Sequence, residues 1–456
     1  MTRLRKSLTL KDLILQNIAA IVGFATLSLS AQFGWASLFL NLVVLIFFVF
    51  PAILMILDLS SRFPEEGGFY IWTKKAFGPF HGFLAAWSYW ISNLVWFPSV
   101  LLSILTVGSF LFETETKSPF ILLIIGLTFL WLVVWINILG LQKAKWIQNI
   151  GGIATFLTIL LLTLTSLYYW YSDVEFSSIK ASELIPDISQ WKLFPFFAAI
   201  TFSWAGIELS PVISEEVKDS KKTLPKALLI ASLLIALIYI LGTIGLLIST
   251  NGTIDEILGI PIAFENLSHK LSVPGLRIIG SLLVLLSFIG LFAAWLTGNA
   301  RVPFVIGLDH FLPSALGKIH TRYHTPHISL IVQGAIITIL FIGALAGNTV
   351  KEAFLVLVDM SIVLFFIPFF YMFLAFIRHQ VKENNHDGLQ WLTNNPLIAY
   401  VAAISGLIIT GFTITMALIP SQSIDQPFIY YIKIIGGSLF LIGIGSIFYA
   451  KNQPEK

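Results

Sequence analysis

Two stretches decide the fold of this chain: IVGFA at residues 21–25 and SWAGIE at residues 203–208. Each lies in a long apolar run, yet each carries a glycine, and the second ends on an acid. Inside a bilayer every backbone N–H and C=O needs a partner within the protein, so an interrupted helix is tolerated only where it lines an enclosed cavity. Paired interruptions of this kind are typical of membrane transporters. We therefore predict a mid-membrane substrate cavity formed by both stretches.

The composition is that of a membrane protein. Of the 456 residues, 57% are hydrophobic and 11% are charged, whereas an average soluble domain is about 25% charged. Apolar runs of about 20 residues, enough to cross a bilayer, follow one another from end to end and leave no room for a soluble domain. The first run resembles the later ones and lacks the pattern of a cleavable signal. The chain has no cysteine, which excludes disulfides and thiolate chemistry.

The apolar pattern predicts twelve membrane spans. They cover roughly residues 12–34, 37–57, 80–112, 119–141, 146–170, 192–213, 224–249, 273–298, 327–346, 351–377, 396–419 and 427–450. Most of the 27 Lys and Arg residues then fall on one side, together with both termini. Because Lys and Arg are retained in the cytoplasm during insertion, both termini are predicted to be cytoplasmic, in a multi-pass protein of the cytoplasmic (plasma) membrane.

The interruptions lie in the first and sixth predicted spans, and this spacing divides the chain. Residues 1–170 and 192–377 would form two halves of five spans each, followed by an extra pair at 396–450. Five spans per half invert the second half relative to the first. The predicted fold is therefore an all-α polytopic membrane protein, one domain with a 5+5 inverted repeat, broken helices one and six, and two additional C-terminal helices.

Glu208 is the strongest candidate among the ionisable residues within a span. An isolated charge at mid-membrane costs at least about 2.5–3.5 kcal/mol on insertion scales, so the side chain should face a cavity, carry a proton or pair. Three roles remain open: a proton carrier, a contact for a substrate amine, or an acceptor for backbone N–H groups freed by the break. Asp359 in span ten is the second candidate, for a coupling or substrate role or for packing against another helix.

The first interruption has the composition of a carboxylate site. Residues Ile21, Val22, Gly23, Phe24 and Ala25 precede a half-helix, and N–H groups at the start of a helix carry partial positive charge. The alternative interpretation of this small-residue stretch is tight helix packing.

In the second interruption, Phe202 and Trp204 could wall the cavity beside Ala205, and Gly206 leaves room for close backbone approach. Aromatic residues in span three recur near helical spacing, and one or two of them could also line the cavity; they are Trp87, Tyr89, Trp90, Trp96 and Phe97.

Enzyme chemistry is not predicted. The chain has no nucleophile–base pair, no P-loop and no dinucleotide glycine motif, so transport would be secondary and need no cofactor. Four histidines cluster in one loop, but Pro326 breaks the helix that would align them, and a metal site is not predicted; they are His310, His320, His324 and His327.

Four motifs resemble the amino acid–polyamine–organocation superfamily of permeases and together span nearly the whole chain. They are FPEEGGFYIW at 63–72 with AFGPFHG at 76–82, GIE at 206–208, SEEVKDSKKTLP at 214–225, and NAR at 299–301 leading to residues 312–326. The resemblance implies inverted five-helix repeats, a substrate carboxylate bound by the backbone near Gly23, Phe24 and Ala25, and an amino group near the span-six carbonyls of Phe202, Trp204 and Ala205. Glu208 matches an acid seen in many members.

Two positions differ from the family pattern. Ala25 stands where the family usually has a second glycine, after the bulky Phe24. Thr155 stands near the place where some proton-coupled relatives carry a lysine in span five. The coupling route through that lysine is therefore not predicted, which leaves another proton carrier, sodium, or exchange.

The leading hypothesis is a permease that moves amino acids by alternating access, with an ion or by exchange. The predicted partners are an amino acid or amine substrate, the lipid bilayer, and H⁺ or Na⁺ as a coupling ion; nucleic acid is not among them. A polyamine is the alternative substrate, and Glu208 and Asp359 would then anchor it. A membrane sensor is a third hypothesis, disfavoured by short tails without a soluble signalling domain.

Overall fold

The computed structural model describes most of the chain. The described residues are 6–63, 65, 67–114, 118–172, 181–187, 193–213, 216–250, 254–309, 311–346, 350–382, 395–420 and 426–452. Within these ranges the regular structure is helical, apart from one isolated parallel bridge between Leu8 and Val217.

The chain begins with a broken helix. α1 (Leu10–Ile21) starts with a capping box, in which the Asp12 carboxylate accepts from the Thr9 N–H at 3.0 Å. It ends at Val22, whose extended backbone interrupts the helical hydrogen bonds. α2 (Phe24–Ser30) follows, and the axes of the two pieces differ by 49°. The first predicted break is therefore present at residues 22 and 23.

The remaining helices follow in chain order. They are α3 Ala36–Val44, α4 Phe50–Arg62, α5 Phe69–Phe77, α6 Pro79–Leu111, α7 Pro119–Ile138, α8 Leu141–Ser172, α9 Pro195–Ser203, α10 Leu209–Val212, α11 Ser220–Ser249, α12 Gly259–Lys270, α13 Gly275–Asn299, α14 Arg301–Leu308, α15 His327–Leu345, α16 Val350–Lys382, α17 Pro396–Ala417, α18 Pro427–Tyr431 and α19 Gly437–Lys451. A π-helical segment, Leu45–Val49, joins α3 to α4, and a second, Ile432–Gly436, joins α18 to α19.

Ten helical rods of the described chain are long and apolar enough to cross a bilayer, and the bent pair α1–α2 makes an eleventh candidate. The predicted span at residues 192–213 takes a different form. There the chain makes α9, of nine residues, a turn over residues 204–208, and α10, of four residues. Neither piece alone reaches the length of about 20 residues that a span needs.

Glycines allow the helices around the two breaks to approach closely. A Cβ on Gly151 of α8 would overlap the backbone of Gly290 in α13, and a Cβ on Gly152 would overlap the Leu15 carbonyl of α1. Small residues at helix contacts let backbones pack closely in membranes. α8 therefore packs closely against both α13 and α1, the helix that leads into the first break.

Candidate substrate site

The second break depends on a backbone conformation that only glycine adopts readily. Gly206 has φ +115°, in the middle of the turn between α9 and α10. A Cβ at this position would lie 2.9 Å from the Ile21 side chain and 3.2 Å from the Trp295 ring. The two breaks are therefore in direct contact, and α13 covers them where Trp295 meets Gly206.

Side chains from two other helices bind the carbonyls that the breaks set free. The Trp295 indole N–H of α13 donates to the Ala20 carbonyl at 2.7 Å. The Tyr239 hydroxyl of α11 contacts the Ile21 carbonyl at 2.8 Å and also the Ser203 carbonyl. Tyr239 thus joins the C-terminal ends of α1 and α9 through one hydroxyl group. The last carbonyls of a helix have no partner within it, and these contacts supply one.

Glu208 accepts hydrogen bonds at both carboxylate oxygens. The Gly206 N–H donates to Oε2 at 3.0 Å, and the Tyr89 hydroxyl of α6 donates to Oε1 at 3.1 Å. The side chain is 1% exposed. Of the three predicted roles, this arrangement is the one expected of an acceptor for a freed backbone N–H group.

Replacing Glu208 by glutamine is expected to lower initial uptake about tenfold, equally at acidic and neutral pH. The amide nitrogen of glutamine is a donor, so it would face either the Gly206 N–H or the Tyr89 hydroxyl and leave that donor without an acceptor. An unsatisfied buried donor costs about 1–3 kcal/mol. The measurement is uptake by reconstituted protein across pH, with Glu183→Gln in an exposed loop turn as the matched control. A variant that keeps its activity and loses only its pH dependence would instead make Glu208 a proton carrier.

Aromatic rings from four elements meet beside the breaks. Phe202 of α9 packs edge-on against Trp96 of α6 and Phe365 of α16, with centroid distances of 6.1 and 5.4 Å. Trp295 contacts the same two rings at 5.6 and 6.0 Å. The Tyr89 ring of α6 also packs against Phe365, with a centroid distance of 5.5 Å. We call these five residues the aromatic wall. Its ring faces can hold a cation by cation–π attraction.

Trp204 belongs to a different contact. Its indole N–H donates to the Asn41 side-chain oxygen of α3 at 3.3 Å, and its ring lies 4.9 Å from that of Tyr239. It therefore connects the second break to α3 and α11. Ala205 is buried beside it.

The first break presents its backbone rather than its side chains. The Phe24 ring packs edge-on against Phe288 of α13 at 6.3 Å. The Gly23 carbonyl accepts from the Thr26 hydroxyl at 2.8 Å and from the Leu27 N–H at 2.9 Å. The first N–H groups of α2, including those of Phe24 and Ala25, have no acceptor within the helix, as at any helix start.

Two predicted residues lie in other surroundings. The Thr155 hydroxyl donates to the Gly151 carbonyl of its own helix at 2.9 Å. Asp359 contacts the Tyr430 hydroxyl of α18 at 3.1 Å. Neither of these hydrogen bonds brings its side chain to the residues of the two breaks. His310 and the first two residues of the 214–225 motif lie outside the described residues.

A buried ion pair lies where the N-terminal segment packs on the rest of the molecule. Arg301 and Glu216 pair at 3.0 Å with both side chains 2% exposed, and the Glu216 carbonyl accepts from the N–H groups of Ser7 and Leu8 at 2.8 and 3.1 Å. The segment before α1 is thus attached to the segment after the second break.

Cavities lie at both ends of the bundle. One, of about 630 Å³, lies at the ends of α6 and α13, and another, of about 230 Å³, lies at the end of α4 beside Pro211. Their described lining includes no residue of the 21–25 or 203–208 stretches. The residues of both breaks are buried, and none of them lines either cavity.

Trp295 and Tyr239 were not predicted from the sequence. Each lies inside an apolar span, Trp295 two residues before Thr297 in α13 and Tyr239 in the middle of α11. A tyrosine far from both ends of a span, where its O–H needs a partner, is the signal that could have indicated Tyr239. Trp295 lies four residues before the end of α13, where tryptophan is common, so no such signal distinguishes it.

Helices long enough to cross a bilayer, with two contacting backbone breaks at their centre, define a membrane transporter. A family model described as amino acid permease matches residues 8–440. The chain therefore belongs to the amino acid permease family of the amino acid–polyamine–organocation superfamily, and it is a secondary transporter rather than an enzyme.

Individual relatives resemble the chain over most of its length. An uncharacterized transporter of Legionella pneumophila is 26% identical and covers 100% of this chain and 99% of its own. A probable agmatine/putrescine antiporter of Lactococcus lactis is 24% identical over 91% of this chain and 89% of its own. A glutamate/gamma-aminobutyrate antiporter of the same organism is 23% identical over 79% and 73%.

Proposed function

We propose that this protein exchanges amino acids across the cytoplasmic membrane by alternating access, with the substrate bound between the two breaks. The observation that carries this proposal is that the two breaks touch each other and present opposite helix ends, the N-terminal end of α2 and the C-terminal end of α9. α2 begins at Phe24, after its N-cap residue Gly23, with N–H groups suited to a carboxylate, and α9 ends at Ser203 with carbonyls suited to an ammonium group. A zwitterion complements both ends.

The proposed site uses the predicted residues of both breaks. The backbone of residues 21–25 would bind the carboxylate, and Phe202, Trp204, Ala205 and Gly206 would surround the amino group. Phe202 also belongs to the aromatic wall, which would then face the substrate side chain. Glu208 would hold the turn in place through Gly206.

A carboxylate-free amine is the second candidate substrate. The aromatic wall favours it, since ring faces attract organic cations, and one relative is a probable agmatine/putrescine antiporter. A polyamine carries at least two ammonium groups, which call for acids at the site. Of the two predicted anchors, Glu208 already accepts from two donors, and Asp359 contacts Tyr430. We therefore favour the amino acid.

Uptake into proteoliposomes tests this proposal. Vesicles are loaded with an unlabelled amino acid or amine, or left empty, and the entry of labelled amino acids and polyamines is followed with and without an inward proton gradient. We expect rapid entry of a carboxylated amino acid only into loaded vesicles. Entry of amines alone would support the second candidate, and equal entry into empty vesicles would contradict exchange.

Replacing Gly23 by leucine is expected to reduce substrate affinity at least about tenfold. A Cβ at this position would lie 2.7 Å from the Thr26 hydroxyl, and the longer side chain would occupy the approach to the first N–H groups of α2. Affinity is measured from the substrate-induced rise in melting temperature. Gly411→Leu in α17 is the matched control, because a Cβ there would meet no atom within 4 Å. Unchanged affinity in Gly23→Leu would contradict the carboxylate site.

The full topology is part of the proposal. α9 and α10 together would form the sixth of twelve spans, with five-span halves at 1–170 and 192–377, an extra pair at 396–450, and both termini in the cytoplasm. Because the chain has no cysteine, a single introduced cysteine reports its own side. An impermeant thiol reagent applied to intact cells should label Tyr171→Cys and not Lys143→Cys, at the two ends of α8. The reverse pattern would contradict the orientation.

A further inference from the structure

Asp359 lies in a short chain of hydrogen bonds that connects three helices. Its Oδ2 lies 3.1 Å from the Tyr430 hydroxyl oxygen of α18, and that oxygen lies 2.7 Å from the Ala417 carbonyl at the end of α17. Tyr430 is 1% exposed, and Ala417 is equally buried. The helix that contains Asp359 is thereby attached to the last two helices of the chain.

Counting protons along these hydrogen bonds favours a protonated Asp359. A tyrosine hydroxyl has one proton to donate, and a backbone carbonyl only accepts. If Tyr430 donates to Ala417, which is the shorter contact, its oxygen can only accept from Asp359. The carboxyl group must then carry a proton. If Asp359 were ionised, the one proton of the Tyr430 hydroxyl would face three acceptors, the Asp359 carboxylate and the carbonyls of Ala417 and Ile419 at 3.1, 2.7 and 3.5 Å, and the contact with Asp359 or with Ala417 would lack a hydrogen bond.

Within the part of the chain that the structure describes, no cation pairs with Asp359. Among the described residues, Tyr430 is the titratable group in contact with it, and Tyr431 lies beyond at a ring distance of 5.9 Å from Tyr430. Lys433 pairs with Glu352 at 3.7 Å. An acid in an apolar setting without a paired cation is stabilised by keeping its proton.

Among ionisable side chains of other elements packed on α16, Tyr89 of α6 lies against Phe365 and donates to Glu208, and the following ones are engaged farther along the helix. His81 of α6 contacts Tyr371 at 3.0 Å, and Arg62 of α4 contacts Gln380 at 2.8 Å. Tyr371 is twelve positions from Asp359, or about 18 Å at 1.5 Å per residue. On α5, Lys74 pairs with Asp309 at 2.5 Å. Tyr449 of α19 packs against Phe311, and His327 of α15 packs against His320.

We propose that Asp359 is a proton-binding site separate from the substrate site, and that its bound proton completes the hydrogen bonds that join α16, through α18, to α17. The neutral acid donates to Tyr430, and Tyr430 donates to Ala417. Loss of the proton turns the Tyr430 hydroxyl to the carboxylate as a donor and leaves the Ala417 carbonyl without it, so the link between α18 and α17 is lost. α16 also carries Phe365 of the aromatic wall, six residues from Asp359, so the protonation of Asp359 acts on the helix that lines the proposed substrate site. The proton site itself lies apart from the breaks and does not depend on the identity of the substrate.

The pH dependence of stability tests the proposal. The amide introduced by Asp359→Asn would be a permanent donor to Tyr430, so this variant should melt close to wild type at acidic pH and above it at alkaline pH. We expect the difference to reach about 2 °C or more. Glu352→Gln, which removes another acid of the same helix, should keep the wild-type pH slope. Parallel melting curves for wild type and Asp359→Asn would overturn the proposal.

An infrared measurement provides an independent test on the intact protein. A protonated carboxyl group has its own C=O stretching band, which should be present in wild type at neutral pH and absent from Asp359→Asn. If that variant does not fold, Tyr430→Phe serves instead, because removing the acceptor should shift the same band to higher frequency. A wild-type spectrum without such a band, or a band that Tyr430→Phe leaves unmoved, would overturn the proposal.

Discussion

Alanine in place of Gly206 is expected to abolish most transport while the protein remains folded and inserted. An alanine at φ +115° is strained, by about 1–3 kcal/mol for such sparsely populated backbone regions. Its Cβ would also press on Ile21 and Trp295, which join the two breaks. Because the turn must relax away from this geometry, we expect uptake to fall about ten- to a hundredfold.

The measurement is initial uptake by purified protein in proteoliposomes, normalised to the amount inserted. Gly343→Ala in α15 is the matched control, since a Cβ there meets no atom within 4 Å, and helical alanine is favoured over glycine. Gly343→Ala should transport like wild type. Wild-type uptake by Gly206→Ala would show that the turn does not need glycine and would remove the second break from the site.

Phenylalanine in place of Tyr239 is expected to lower transport about 5- to 150-fold with little change in expression. The ring can remain against Trp204, but the hydroxyl that contacts the Ile21 and Ser203 carbonyls is lost. A buried carbonyl left without a donor costs about 1–3 kcal/mol. Both half-helices lose the group that holds their ends together, so the bound arrangement of the breaks should be less populated.

Exchange kinetics and substrate-induced thermal shifts measure this effect. Tyr171→Phe at the end of α8 removes the hydroxyl of a side chain that is 92% exposed and should change neither quantity. If Tyr239→Phe binds and exchanges substrate like wild type, Tyr239 is a packing residue and not a positioning residue of the site.

Much of the architecture could be predicted from the sequence, because membrane spans and their interruptions are local signals. Apolar length indicates the long helices, and glycine inside such runs indicates the breaks at residues 22–23 and 204–208. The sixth segment reads as one span in the sequence but consists of two short helices, because the chain turns over five residues around the positive φ of Gly206.

The contacts around the breaks could not be predicted in the same way. Whether Trp295 or Tyr239 faces a freed carbonyl depends on the rotation of α13 and α11 about their axes, and a uniformly apolar helix gives no periodic signal for that rotation. Asp359 is recognisable in the sequence as an acid inside a predicted span, but its partner Tyr430 lies 71 residues away and is one of 12 tyrosines.

The central claim is that both breaks line one substrate site, and cysteine protection tests it most directly. The chain has no cysteine, so Ala25→Cys and Ala205→Cys each place a single thiol at one break. A permeant thiol reagent should label both, and a transported amino acid should slow both reactions, whereas labelling of Tyr171→Cys should be unaffected. Transport of a substrate that protects neither Ala25→Cys nor Ala205→Cys would contradict the account.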